Sequence, residues 1–394
     1  MKICCITSVF PRFPGDTEVP WLKETVKRCI EEGLDITVFA PSFRGLKSHQ
    51  IGNIPVYRFR YFFRHWETLT HEEGAPNKIH KLHYKIITLF YIVSGTLHLF
   101  FLQRRCHFDI LHIHWPFPHG ILGFFINFWL RNTKIILNFH GAELLLTNKY
   151  KFVKRFLKYF IKKADGVIVN SNFTAQKVRS LFYRDSIQII PYGTTVQPSV
   201  KLTVQSEHSN IILTVGRLIE RKGHPYLIQA LPEILKKFPD ALLTIVGGGP
   251  EEQTLMDLIT KLNLKKHVHL YGKIENSRLQ ELYERANVFV LPAIVDHKGD
   301  TEGLGVVLIE ALNYKKAVVA SDVGGIPDII KHLETGIIVS EKNSRVIAEA
   351  VCQLLQDKRL AVNLGERGYQ FVKNYYDWSV IIPKMIRFYK QIAI

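Results

Sequence analysis

Residues 211–246 read IILTVGRLIERKGHPYLIQALPEILKKFPDALLTIV, and their reading decides the fold. Ile211–Val215 is a short β-branched run closed by Gly216, and Ala241–Val246 is another, closed by Gly247-Gly248-Gly249. Between them, Pro225–Phe238 repeats apolar residues at helical spacing. Strand, crossover helix and second strand make one parallel βαβ unit. The alternation continues through strands expected at His267–Tyr271, Val288–Leu291, Ala317–Ala320 and Gly336–Val339, with helices at Glu251–Leu262, Arg278–Arg285 and Val306–Asn313. Upstream it recurs: strands at Lys2–Val9, Asp35–Ala40, Ile54–Tyr61, Asp109–His114, Lys134–Phe139 and Gly166–Asn170, with a helix at Pro20–Glu32. Pro191–Asn210, polar and proline-containing, reads as a linker. The expectation is α/β: two Rossmann-like, doubly wound parallel-sheet domains, residues 1–192 and 193–375, facing a cleft that takes a ligand at the strands' carboxyl ends.

The chain has 394 residues, 47% hydrophobic and 22% charged, a balance that excludes disordered and collagen-like classes. Five cysteines without CxxC spacing indicate neither a disulfide framework nor a zinc site. Cys4 and Cys5 lie in an apolar run that reads as a core strand. The start runs into Pro11-Arg12-Phe13-Pro14 without a small-residue cleavage site, so no signal peptide is expected. Ile86–Leu102 is apolar but short of the roughly 20 residues that span a bilayer. Burial within a large domain is the favoured reading, contact with a bilayer from one side the sharper one.

The motifs with chemistry sit after strands. In TEGLGVVLIEAL, Glu302 and Glu310 flank a turn built on Gly303, Leu304 and Gly305 that opens a helix at Val306, where backbone amides favour phosphate. Glu302 on the turn is placed to accept sugar hydroxyls. Glu310, among Leu308, Ile309, Ala311 and Leu312, is placed to face inward and reach a ribose diol. Gly216-Arg217-Leu218-Ile219-Glu220-Arg221-Lys222-Gly223 supplies Arg217 and Lys222, a fork-shaped donor and a point charge suited to a diphosphate leaving group. Gly247, Gly249, Gly272, Ile274 and Gly324-Gly325 add turns at three more strand ends, the rim of a ligand site. In the first half, His140 and Glu143 in FHGAE follow a strand, and the Phe13-Pro14-Gly15-Asp16 turn follows the first one. His112, His114 and His119 have no acidic neighbour, so a metal reading is rejected.

Together these motifs resemble the GT-B retaining glycosyltransferases of family 4, the glycosyl transferases group 1 type. The resemblance covers nearly the whole chain. GRLIERKG, VGGGPEE, GDTEGLGVVLIEAL and ASDVGGIPDII carry it most specifically; PRFPGD, HIHWPFPHG (with Trp115), FHGAE and SNFTAQKV match more loosely. It implies a nucleotide-diphosphate sugar in the second half and an acceptor in the first. Arg217 and Lys222 would hold the diphosphate, Glu310 the ribose, Glu302 the donor sugar, backbone near Ile274 the base, and His140 the sugar from the opposite wall. Asp16, Trp115 and Glu143 are candidates on the acceptor side, Gly15 on the donor side. Retention of the anomeric centre is implied, with no cofactor and no metal requirement. A last helix over 376–394 would pack back on the first domain. Asp328 stands where Glu is common in the family, and Glu143 where Asp is common.

The net charge is +17, and its placement is lopsided: residues 1–195 hold 27 Lys and Arg against 13 Asp and Glu. The donor motifs lie in the nearly neutral half and leave that excess unexplained. Tyr150–Lys163, YKFVKRFLKYFIKK, sets apolar and basic residues on opposite faces, and Arg58, Arg60 and Arg64 interleave with aromatics. These are either solvated faces or a docking surface for an anionic membrane bearing a lipid-linked acceptor, each cation contributing about 1 kcal/mol. Nucleic acid lacks an accompanying motif. The expected partners are therefore a nucleotide sugar, a glycan or lipid-linked acceptor and an anionic membrane surface, in the cytoplasm on the inner membrane face. The alternatives are a soluble acceptor or a non-catalytic polyanion-binding protein.

Overall fold

The computed structural model describes residues 1–16, 18–71, 78, 81–130, 133–196, 198 and 210–393. It divides into two compact units, Met1–Ile190 with Ile381–Ile394, and Pro191–Val380. Most of the segment read as a linker, 199–209, lies outside the described residues.

The first unit holds an eight-stranded sheet made of β1 (Lys2–Ile6), β2 (Asp35–Pro41), β3 (His49–Ile51), β4 (Ile54–Phe59), β5 (Ile110–His114), β6 (Lys134–Phe139), β7 (Gly166–Val169) and β8 (Ile187–Ile189). The spatial order is β3-β4-β2-β1-β5-β6-β7-β8, parallel throughout except for β3 against β4. β3 and β8 escape a sequence reading because three residues are too few to show alternation. Cys4, Ile6, Leu111, Ile113, Ile135 and Leu137 face a core roofed by helices Leu82–Cys106, Pro116–Leu130 and Lys151–Lys163. On the other face, the Tyr389 hydroxyl lies 2.8 Å from His112 Nδ1, and Phe388 packs on Gly166. The final helix, Trp378–Ala393, thus belongs to the first unit from Ile381 onward.

Two sequence expectations are corrected here. The apolar helix is longer than read, Leu82–Cys106, and it is not buried all round. Ile87, Tyr91, Leu99 and Leu102 enter the core, while Leu82, Leu89 and Phe101 are 63–73% exposed. Apolar residues on both faces hide the amphipathicity that marks a half-exposed helix. Arg58 belongs to no basic surface: it is buried, donating to the carbonyls of Phe10, Pro11 and Pro41. Arg60 pairs with Glu67, and Arg64 donates to the Arg44 carbonyl.

The second unit has six strands: β9 (Ile211–Val215), β10 (Leu242–Val246), β11 (Val268–Leu270), β12 (Val288–Leu291), β13 (Ala317–Ser321) and β14 (Ile337–Val339). They run β11-β10-β9-β12-β13-β14, all parallel. The chain reverses direction of growth between β9 and β12, and a crevice for a ligand opens outside the carboxyl ends at such a switch point. At the edge of this unit the Trp378 indole donates to the Thr194 carbonyl at 3.0 Å and covers Gly193, where a Cβ would stand 2.5 Å from the ring.

Candidate functional site

The loops after β9 and β12 meet at the switch point of the second unit. Gly223 closes the first with φ +64°, and a Cβ there would lie 1.9 Å from the Pro292 carbonyl oxygen, so only glycine admits the contact. The Ile294 amide donates to the Arg221 carbonyl at 2.9 Å. The turn after β10 joins them: the Leu218 amide bonds to Gly248 O, and the Gly247 amide bonds to Gly272 O after β11. Gly249 lies so near Leu218 that a Cβ would stand 2.3 Å from its carbonyl oxygen. The turn after β13 reaches the TEGLG turn, with the Gly325 amide donating to Glu302 O at 2.9 Å. Five glycine-bearing turns therefore form one continuous rim.

The charges lie inside it. Lys222 is buried, and its Nζ donates to Glu302 Oε2 at 2.5 Å. Gly216 leaves room for that side chain, since a Cβ would be 3.3 Å from Lys222 Cε. Burial pushes the Glu302 pKa up, but Lys222 and Arg221 beside it, with hydrogen bonds from Lys222 and the Gly305 amide, hold it below the ordinary carboxylate value. Arg221, which sequence reasoning passed over for Arg217, lies 3.6 Å from Glu302 and 3.4 Å from Asp300. Nothing in GRLIERKG separates the two arginines; the 3₁₀ turn Glu220–Lys222 turns Arg221 inward, and Arg217 stays exposed.

Glu310 faces inward from the helix Val306–Asn313. Tyr283 donates to its Oε2 at 2.8 Å and Thr194 to its Oε1 at 3.2 Å. Burial nonetheless pushes its pKa up to about 7. Both partners are remote in sequence, so no local pattern reveals them. Leu304 buries its side chain, leaving only its backbone to the rim; Val306 begins the helix, and Ile274 is half-buried after Gly272.

In the first unit His140 follows β6. Its Nε2 lies 3.1 Å from His114 Nδ1, with the rings stacked. Trp115 and Trp21 flank it with ring centroids at 4.4 and 5.0 Å. Its amide donates to Glu143 Oε1 at 2.7 Å. Burial pushes His140 down to about 3, keeping it neutral, and pushes Glu143 up to about 7. His114 drew notice in the sequence only for a rejected metal reading, and Trp21 carried no signal of its own. Gly15 is exposed in its turn; Asp16 is closed on Arg12 at 2.7 Å, burial raising its pKa and Arg12 lowering it further.

The family model described as glycosyl transferases group 1 matches residues 201–371, and that described as glycosyltransferase family 4 matches residues 21–197. A GDP-mannose-dependent alpha-(1-6)-phosphatidylinositol monomannoside mannosyltransferase of Mycobacterium tuberculosis is 34% identical over 65% of this chain and 69% of its own. An N-acetyl-alpha-D-glucosaminyl L-malate synthase of Bacillus anthracis is 26% identical over 71% and 74%. Among solved structures, sucrose-phosphate synthase from Thermosynechococcus elongatus superposes with TM-score 0.76 at 20% identity, covering 99% of this chain and 98% of that one. HepE from Anabaena, in complex with UDP, gives 0.74 at 15% identity, covering 99% and 100%. The chain belongs to the glycosyl transferases group 1 family and is a glycosyltransferase of the GT-B fold.

Proposed function

We propose that the protein is a retaining transferase that moves a sugar from a nucleotide-diphosphate sugar to a glycan or lipid-linked acceptor, at the cytoplasmic face of the membrane. The observation that carries this reading is the buried Lys222–Glu302–Arg221 cluster at the switch point, with Arg217 exposed beside it. Glu302 takes one of the three Lys222 N–H bonds and fixes the ammonium; the other two remain for diphosphate oxygens. The bond from the donor's anomeric carbon to the phosphate oxygen breaks while the acceptor oxygen bonds to the same face. The acceptor's proton passes to the departing phosphate oxygen. Such a path needs stabilisation of the leaving group more than a strong base, in keeping with fixed cations and a neutral His140. Glu310 accepts the ribose hydroxyls, and Gly272–Ile274 backbone lines the base. No metal enters this chemistry, and EDTA is expected to leave turnover unchanged.

A lipid-linked acceptor is favoured over a soluble one because the relative named for a phosphatidylinositol mannoside shares more identity, 34%, than the one named for L-malate, 26%. The test is a panel of UDP-, GDP- and ADP-sugars, read by binding and slow hydrolysis. One donor is expected to bind the wild type, and Arg217→Ala with Lys222→Ala is expected to abolish that binding. Unchanged binding in the double variant sinks the assignment.

A further inference from the structure

We propose that the outer face of helices Leu82–Cys106, Pro116–Leu130 and Lys151–Lys163 is a docking surface for an anionic lipid bilayer, with Leu82–Cys106 lying in the plane of the membrane. The inference sharpens the location within the function proposed above, but it stands on a separate observation. Leu82, Ile86, Leu89, Val93, Leu97 and Phe101 are all at least half exposed and recur at three- and four-residue intervals. They form one stripe about 28 Å long. Isolated exposed apolar residues are ordinary, but a continuous stripe of this length marks an interaction surface.

The neighbouring helices extend it. Phe128 and Trp129 are 70% and 62% exposed on the second, and Phe152 and Tyr159 are 55% and 52% exposed on the third. Phe117 bridges the two helices, its ring 6.1 Å from Phe152 and 6.5 Å from Phe156. Aromatic side chains of this kind favour the headgroup boundary.

The helix is long and apolar enough to cross a membrane by length and composition alone, but its inner face is committed. The Tyr91 hydroxyl lies 2.8 Å from His119 Nε2, and Gly95 sits so close to the core that a Cβ would stand 2.9 Å from Leu122. Spanning would strip that face from the sheet. Lying flat leaves the core intact and covers only the naked stripe.

Charge selects the occupant. Segments Lys81–His107, Trp115–Leu130 and Tyr150–Lys163 contain ten Lys and Arg and no Asp or Glu. The basic residues flank the apolar stripe at both ends, as Lys81 and Lys85, and Arg104 and Arg105. A second copy of the same face would bring like charges together; anionic headgroups neutralise them, each cation contributing about 1 kcal/mol.

The experiment is flotation of the full chain with phosphatidylglycerol–phosphatidylcholine vesicles. The wild type is expected to float with the lipid. Leu89→Ser with Val93→Ser and Leu97→Ser is expected to weaken partition by about a hundredfold. Because the three side chains are exposed, circular dichroism, thermal midpoint and nucleotide-sugar binding are expected to stay at wild-type values. A dye on Leu89→Cys is expected to shift to the blue on adding vesicles, and one on Val362→Cys, exposed in the second unit, is not. Wild-type chain left at the bottom of the gradient overturns the proposal, as does a triple variant that floats normally. A lipid-free dimer that the triple variant dissolves also overturns it, assigning the face to a second copy. A chain that floats but binds no nucleotide sugar leaves the docking surface standing and removes the transferase reading.

Discussion

At the scale of single residues, the candidate site of the second unit is a set of charges that hold one another. Glu302 is ionised inside the protein because Lys222 and Arg221 lie beside it. Breaking such a buried pair from one side leaves an uncompensated charge and costs about 3–5 kcal/mol. Glu302→Gln is therefore expected to lower stability by about that much, measured by urea unfolding at neutral pH. Lys222→Met combined with Glu302→Gln is expected to recover most of the loss, a double-mutant cycle that isolates the pair. The sign with pH is fixed by the depressed carboxylate. Its ordinary value is 4.5 and its folded value is lower, so its contribution is complete above 4.5 and disappears as pH falls through the folded value. The gap between wild type and Glu302→Gln is expected to close in acid. How much of this was legible differs by residue. Glu302 and Lys222 announce themselves as charges on glycine-bearing turns after strands, and Glu310 as a carboxylate set among apolar neighbours on a helix. Thr194 and Tyr283 do not, and the pairing of His114 with His140 does not, because these partnerships exist only after distant segments fold together.

At the scale of elements, the strands wrote themselves plainly. Ile211–Val215, Lys134–Phe139 and Val288–Leu291 are fully sheathed by helices, so their apolar runs are continuous and bounded by turns. The helix Pro116–Leu130 hides its constraints better. Its Gly120 faces Phe160, to whose ring a Cβ would come within 2.6 Å, and its Gly123 faces the Ile113 terminal methyl at 2.4 Å. Alanine favours a helix over glycine by up to about 1 kcal/mol, so substitution would help on a free helix. Here Phe160 is buried and stacked on Phe124 at 4.8 Å, unable to retreat. Gly120→Ala is expected to destabilise by about 1–3 kcal/mol. Gly123→Ala is expected to cost less, because a methyl at the end of a flexible side chain can rotate away. Thermal unfolding of the two variants decides the order.

For the molecule as a whole, the two units respond differently to acid. His71, His112, His114, His119 and His140 are held neutral in the first unit by burial, four of them pushed down to about 3–4 and His114 well below its ordinary value. Each ordinary value is 6.5, so the unfolded chain takes up protons that the folded chain refuses, and stability declines as pH falls below about 6.5. Glu143, raised to about 7, opposes them: its folded form keeps a proton that the unfolded carboxyl loses above 4.5. In the second unit His224, at about 4, is set against Glu310, at about 7, and the two oppose each other between pH 7 and 4.5, while the stabilisation Glu302 gives up is lost only below 4.5. Acid is therefore expected to unfold the first unit before the second. Hydrogen exchange followed by mass spectrometry, taken stepwise from pH 7 downward, checks the order; simultaneous loss of protection in both contradicts it.

The stitch between Trp378 and Thr194 carries a consequence of another kind. The polypeptide enters the second unit at Pro191 and leaves it at Val380, and the indole hydrogen bond brings these two crossings together. The second unit is thus a single contiguous insert with neighbouring ends, the geometry that tolerates excision and exchange. A gene recombined at those two points would exchange the whole second unit while the host keeps its sheet and the final helix from Ile381 onward, the join falling one turn into that helix.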